Sequence, residues 1–293
     1  MQPRTSGAGA AAGATLEDRQ SHLEQILRDI GSCVIGFSGG ADSSLLVKVA
    51  ASVLGDRALA VTAVSASLAE RDRAVACALA ADIGVRHLLV DSHEFDDPRY
   101  TANAPTRCFF CKQELFTLLR TVADTHGLHA IAYGAITDDL GDFRPGMDAA
   151  RQAGARAPLL EAGFSKNDVR ELSRRLGLST WDRPASACLS SRVPHGVVVE
   201  PSVLRRVELA EDFLLERGFR QVRVRAHGEL ARVECDPRDL PRLMEPGMRE
   251  AVAGRLREVG FRHVTVDLEG YRSGSLNPPG APVPIPPGET KPR

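Results

Sequence analysis

The chain has 293 residues, 43% of them hydrophobic, and a formal net charge of −1 at pH 7. That is long enough for one large domain or two, and apolar enough to bury substantial cores. The near-neutral charge counts against a dedicated nucleic-acid binder, which is usually strongly basic, and six cysteines in a chain of this size do not make a disulfide scaffold. There is no run of about eighteen apolar residues. Met1 to Ala14 is Gly/Ala-rich without a hydrophobic signal core, so a soluble, cytoplasmic protein is the expectation.

In chain order, residues 1–14 read as a disordered tail. Thr15 then caps a helix whose apolar positions Leu16, Leu23, Ile26, Leu27 and Ile30 share one face. Next comes an apolar run, Cys33-Val34-Ile35-Gly36-Phe37, which ends in Ser38-Gly39-Gly40-Ala41-Asp42-Ser43 and passes into the helical pattern Leu45, Leu46, Val49, Ala50, Val53, Leu54. This is a buried strand, a tight turn and a helix. The turn therefore meets a helix N-terminus, where unpaired N–H groups favour an anion and glycines let phosphate oxygens approach the main chain. Asp42 beside a phosphate implies a cation such as Mg²⁺.

Further strands are expected at Ala58–Val64, His87–Asp91 and Ala130–Gly134, with helices between them at about 69–84 and 109–126. Near-continuous apolar strands alternating with helices give a doubly wound parallel sheet, with ligand across the carboxyl ends of its strands. The polar stretch Thr137 to Gly146 is expected as a loop at that edge. Its Asp138, Asp139, Asp142 and Arg144 serve metal, ribose or substrate, or cap the next turn. Pro158-Leu159-Leu160 is expected as a short fifth strand, followed by a helix from Ser165 to Leu176.

Residues 15–200 thus form one α/β domain. From about Pro201 a helix, two strands, a helical region through Val259 and a strand at His263–Leu268 suggest a smaller α+β domain, 201–272, of ferredoxin-like type. Residues 273–293, rich in Pro and Gly, read as a disordered tail.

Two cysteine motifs remain. Arg107-Cys108-Phe109-Phe110-Cys111-Lys112 has the spacing of a redox pair, a zinc half-site or part of an iron–sulfur cluster, and no second Cys-x-x-Cys is present to complete a zinc site. Cys188, in Pro184-Ala185-Ser186-Ala187-Cys188-Leu189-Ser190-Ser191-Arg192, lies between a turn and an arginine, a setting that favours thiolate. The bland reading is a small buried residue.

The Ser-Gly-Gly-x-Asp-Ser loop resembles the pyrophosphate loop (PP-loop) of ATP pyrophosphatases, which activate a substrate oxygen with AMP. The usual phosphate loop needs Gly-Lys-Ser/Thr, and no lysine follows here. Together with the two cysteine motifs, Asp142-Phe143-Arg144-Pro145-Gly146 and Val222-Arg223-Val224-Arg225-Ala226-His227-Gly228, the pattern over residues 16–272 resembles the LarE family of ATP-dependent sulfur transferases. The resemblance implies adenylation of the carboxylates of pyridinium-3,5-biscarboxylic acid mononucleotide, a small-molecule substrate, and replacement of AMP by sulfur. The thiocarboxylate products are precursors of the nickel-pincer nucleotide of lactate racemase. It implies ATP and pyrophosphate at Ser38, Gly39, Gly40, Asp42 and Ser43 with Mg²⁺, and substrate at Arg192, Arg223 and Arg225, with Glu211 orienting one of these arginines. It also implies Cys188 as the catalytic cysteine and a homo-oligomer.

For the sulfur source the resemblance offers either a [4Fe–4S] cluster on Cys108, Cys111 and Cys188, with a sulfide on the open iron, or a sacrificial Cys188. Competing readings are a tRNA thiolase, which would show a basic surface or zinc motifs, an ammonia-using amidating synthetase, and a regulatory protein with a dead loop.

Overall fold

The computed structural model describes residues 14–141, 145–184 and 186–272. The terminal tails, Asp142 and Arg144 therefore lie outside the described residues. In chain order the elements are α1 (Leu16–Ile30), β1 (Cys33–Gly36), α2 (Ala41–Leu54), β2 (Ala58–Val64), α3 (Glu70–Ile83), β3 (Arg86–Asp91), α4 (Pro98–Thr101) and α5 (Arg107–His126). These are followed by β4 (Ala130–Ala132), α6 (Pro145–Gln152), α7 (Pro158–Glu161), α8 (Lys166–Arg175) and α9 (Pro201–Glu216). The last are β5 (Val222–His227), β6 (Leu230–Cys235), α10 (Leu240–Met244), α11 (Pro246–Glu258) and β7 (His263–Val266).

Four strands form a parallel sheet in the order β3-β2-β1-β4. Successive side chains of β1 point to opposite faces. Cys33 and Ile35 join the core under α1, α2, α3 and α8, while Val34 joins Leu59, Val61 and Ile131 under α5 and α6. The chain runs outward from β1 to β2 and β3, then returns to the other side of β1 as β4. The crevice at the carboxyl ends of β1 and β4 is thus the switch point of a doubly wound sheet, where such folds bind ligands.

Local signals set the helix ends. Thr15 accepts from the Asp18 N–H and Asp18 reaches back to the Thr15 N–H; Ser165 and Asp168 form the same reciprocal cap at α8.

Three expectations need correction. Pro158–Leu160 is not a strand but the first turn of α7. A proline lacks the N–H a ladder needs and its fixed φ suits the start of a helix. The pairing with β4 falls two residues earlier, as a single bridge between Ala132 and Arg156. Nor is the stretch through Gly146 all loop. Thr137–Gly141 forms a 3-10 turn, and Pro145 opens α6, whose Ala149 and Ala150 pack with Phe116 and Leu119 of α5. Finally, the C-terminal sheet has the order β5-β6-β7, with β5 antiparallel and β7 parallel to β6. A ferredoxin-like sheet keeps a strand between the two parallel partners; here α11 returns the chain directly beside β6, so the unit is α+β with a different topology.

The second core is built from α9, α11 and these three strands, and it also takes in Leu189 and Val193. The segment after Cys188 is therefore anchored in it.

Candidate active site

Gly39, at φ +66, makes the turn between β1 and α2, and Gly40 is the helix N-cap. A Cβ on Gly39 would lie 3.2 Å from the Cα and N of Ala76 on α3, so glycine is required by both conformation and space. The Ser38 and Ser43 hydroxyl oxygens lie 3.2 Å apart, the Ser38 N–H points at Ser43 Oγ at 3.3 Å, and the Gly40 N–H points at Ser38 Oγ at 3.4 Å. These contacts are long, so the N–H and O–H donors of the turn are only weakly engaged with one another. Asp42 is held by Lys166, whose Nζ lies 2.8 and 2.9 Å from the two carboxylate oxygens. The Lys166 N–H donates to Asp138. Asp139 caps its own turn by accepting from the Ile136 N–H. Lys166 is visible in the sequence only as the start of a helix; that it reaches Asp42, 124 residues away, is a tertiary fact.

On the other side of the loop, a Cβ on Gly134 would meet the Ser43 N at 2.8 Å. Gly134→Ala is expected to push the first turn of α2 out of place and weaken ATP binding roughly tenfold or more, with little loss of secondary structure. Titration of Mg-ATP onto the variant, alongside its far-ultraviolet circular dichroism, checks this.

Apart from half-buried Cys77 on α3, the cysteines divide into two sorts. Cys33 and Cys235 are buried, and burial pushes their thiols up to about 12 and about 11, respectively; they fill cores. Cys108 and Cys188 are exposed and Cys111 is half-buried. Burial pushes the Cys111 thiol up to about 12, against the opposing pull of Lys112, and Cys188, Glu94 and Cys108 add to the rise. The two cysteine motifs lie against each other, with Arg107 beside Cys108 donating to the Ser190 carbonyl, although among the described residues no three His, Cys, Asp or Glu side chains could hold a metal ion.

That neighbourhood is rigidly walled. Buried Arg107 donates to the Asn103 side chain at 2.5 Å and to the Ser190 carbonyl at 2.8 Å, and the Tyr100 hydroxyl lies 2.7 Å from that of Ser190. Glu94 is only 4% exposed and accepts from the hydroxyls of Ser65, Ser67 and Ser92. The Leu189 N–H donates to the Ser67 carbonyl, fixing the Cys188 loop over the end of β2.

Behind Cys188 lie the arginines. Arg192 is 1% exposed; its Nε and Nη2 meet Glu211 at 2.9 and 3.0 Å, and its Nη1 donates to the carbonyls of Ala187 and Cys188 and to Ser191 Oγ. Where its motif led to an expected substrate contact, the geometry has it holding the Cys188 loop. Glu211 also accepts from Arg71 at 2.7 Å and from the Val224 N–H at 3.1 Å. Burial pushes the Glu211 carboxyl up, but Arg192, Arg223 and Arg71 outweigh it and hold it below its ordinary range. Arg225 is also buried, on Glu234 and the Ser191 carbonyl, which excludes a solvated strand face. Arg223 packs over the Tyr271 ring, and burial together with Arg192 and Arg225 lowers its pKa from the usual value. Arg71 and Lys166 carry no sequence signal of their own, since each acts through a partner distant in the chain.

A nucleotide-type switch point, a pyrophosphate loop on a helix N-terminus and a wall of cysteines and arginines beside it define a PP-loop protein of the ATP pyrophosphatase class. A family model described as NAD synthase matches residues 15–107, the segment that builds this loop. An uncharacterised protein of Synechocystis sp. is 43% identical over 262 residues, 89% of this chain and 98% of that one. The pyridinium-3,5-bisthiocarboxylic acid mononucleotide synthase of Lactiplantibacillus plantarum is 36% identical over 90% of this chain and 95% of its own. An uncharacterised protein of Methanocaldococcus jannaschii is 25% identical over 82% of this chain and 90% of its own. The chain belongs to the LarE family. No helix among the described residues is long and apolar enough to cross a membrane.

Proposed function

We propose that the protein is an ATP-dependent sulfur transferase acting on the carboxylates of a pyridinium dicarboxylic acid mononucleotide. A carboxylate oxygen attacks the α-phosphorus of ATP, the bond to pyrophosphate breaks, and an acyl-adenylate forms. Sulfur then attacks the acyl carbon and AMP departs with the oxygen, leaving a thiocarboxylate. Activation is needed because oxide is a poor leaving group and AMP a good one.

Ser38, Gly39, Gly40 and Ser43 hold the departing pyrophosphate with N–H and O–H donors preorganised on the loop. Asp42 would hold Mg²⁺, which spreads the phosphate charge. With Asp42 turned to the metal, the Lys166 ammonium, now tied to that carboxylate, is released toward the phosphates. Arg223 receives an anionic group of the substrate, while Arg192 and Glu211 keep the Cys188 loop in register.

What supports this reading is that Arg107, next to Cys108, donates to the Ser190 carbonyl at 2.8 Å, which ties the Cys108–Cys111 segment to the Cys188 loop. Three thiols suit a cluster by their chemistry, because each thiolate of a cluster binds its own iron and none of the sulfurs has to share one ion with the others. Cys108, Cys111 and Cys188 would hold a [4Fe–4S] cluster, whose open iron supplies sulfide when loaded.

The test is anaerobic purification with iron and sulfide analysis and a visible spectrum, on the wild type and on Cys108→Ala, Cys111→Ala and Cys188→Ala. About four irons per chain, lost in all three variants, is the expected result. Iron-free protein that thiolates substrate once and loses the mass of H₂S at Cys188 would instead make that cysteine the consumed sulfur source.

A further inference from the structure

Arg183 stands between the two halves of the site and belongs to neither. Its Nη1 donates to the Gly39 carbonyl at 2.9 Å and its Nη2 to Asp72 Oδ1 at 2.7 Å. The other oxygen of Asp72 accepts from the Ser186 hydroxyl at 3.0 Å. The chain of contacts runs from the pyrophosphate loop through Arg183 and Asp72 to Ser186, two residues before Cys188. Arg183 and Asp72 are mostly buried, with side chains 22% and 14% exposed, so the pair is poorly screened.

The first link has a stereochemical consequence. In a trans peptide the carbonyl and the N–H point in opposite directions. A guanidinium holding the Gly39 carbonyl therefore holds the Gly40 N–H toward the opposite side, where Ser38 Oγ lies and where an anion would sit. Since Gly39 has no side chain and a positive φ, nothing of its own fixes this peptide. The planar fork of arginine spans the carbonyl and the carboxylate together, which one ammonium cannot do.

The second link is carried by α3. Asp72 lies in its first turn, Ala76 packs against Gly39, and Arg71 reaches Glu211 and Asp212 of α9. The same turn thus touches the phosphate loop, the Cys188 loop and the arginine wall.

We infer that Arg183 is a positioning residue that aims the Gly40 N–H at the pyrophosphate and, through Asp72 and Ser186, makes the order of the Cys188 loop depend on phosphate occupancy. The inference rests on the reading of Ser38–Ser43 as the pyrophosphate site. Its consequence is that the sulfur-bearing loop is held firm when the adenylate is being made.

The experiment uses the full chain with magnesium pyrophosphate as the probe. Binding is followed by the emission of Trp181, the one tryptophan of the sequence, two residues before Arg183, and by calorimetry. The loop is followed by hydrogen-exchange mass spectrometry of peptides covering 186–192. In the wild type, pyrophosphate is expected to slow exchange in these peptides. Arg183→Gln is expected to bind about tenfold more weakly, the loss of one charged hydrogen bond, and, once saturated, to leave exchange in 186–192 unchanged. Ser186→Ala is expected to bind as the wild type does and still lose the protection, a split that general destabilisation would not produce. Failure of the wild type to bind pyrophosphate overturns the site reading itself. Binding with no protection of 186–192, or full protection in both variants, overturns the role of Arg183 alone.

Discussion

Cys188→Ala is expected to separate the two half-reactions: pyrophosphate release stays within about threefold of the wild type while thiocarboxylate formation falls by at least about 10³-fold. The geometry argues for this separation. The Cys188 side chain is exposed, so its sulfur supports no core, whereas its carbonyl is held by Arg192 at 3.0 Å and the following N–H by Ser67. Alanine keeps both backbone contacts and removes only the sulfur. The pyrophosphate loop, meanwhile, is built from β1, α2 and Lys166 and does not touch the thiol. On the proposed mechanism, acyl-adenylate is then expected to form and be lost to water. Single-turnover quenching with separate assays for pyrophosphate and for the thioacid measures both steps. Equal losses in both would mean that Cys188 serves adenylation as well.

The largest effect on stability is expected at Glu211. Its carboxylate takes Arg192, Arg71 and the Val224 N–H, and it is 1% exposed. Removing one partner of such a buried pair leaves uncompensated charge, a loss of about 3–5 kcal/mol. For Glu211→Ala this lowers the melting temperature by roughly 10 °C. The pH dependence has a definite sign. The folded carboxyl titrates below its ordinary value of 4.5, so its contribution is complete above that pH and is lost as pH falls through the folded value. Glu211→Gln should therefore be less stable at pH 7 and show a shallower fall in stability below about pH 4.5. Thermal melts of both proteins from pH 7 to pH 3 measure it. Parallel curves would mean that the carboxylate is not charged in the fold.

What could be read from the sequence was what is local. Ser38 to Ser43 lies between an apolar run and a helical pattern, so strand, turn and helix agreed within a few residues, and Thr15 with Asp18 announced a helix start at a spacing of three. The stretches misread are those where one residue type serves two purposes. Pro158 ends strands and begins helices, and Pro145-Gly146 looks like a breaker although Pro145 opens α6. Cys108 and Cys111 draw attention in the sequence because their spacing is itself chemical, and the structure leaves Cys108 exposed and Cys111 half-buried. That Glu211 orients one of the motif arginines was an expectation, and Arg192 is the one it holds; that Arg192 is buried on it was not legible, because no periodicity reports burial. Lys166, Arg183 and Asp72 have no motif of their own; each matters through a contact more than a hundred residues away in sequence.

That distance bears on how the protein comes into being. Arg183 and Gly39 are 144 residues apart, and contacts of such separation form late because the intervening chain must first be closed. β1, its turn and α2 all come from the first part of the sequence, yet the Gly39–Gly40 peptide stays unheld until the segment bearing Arg183 and Cys188 packs against it. A loop whose geometry is completed by a residue so far along the chain is finished only when the domain around it is.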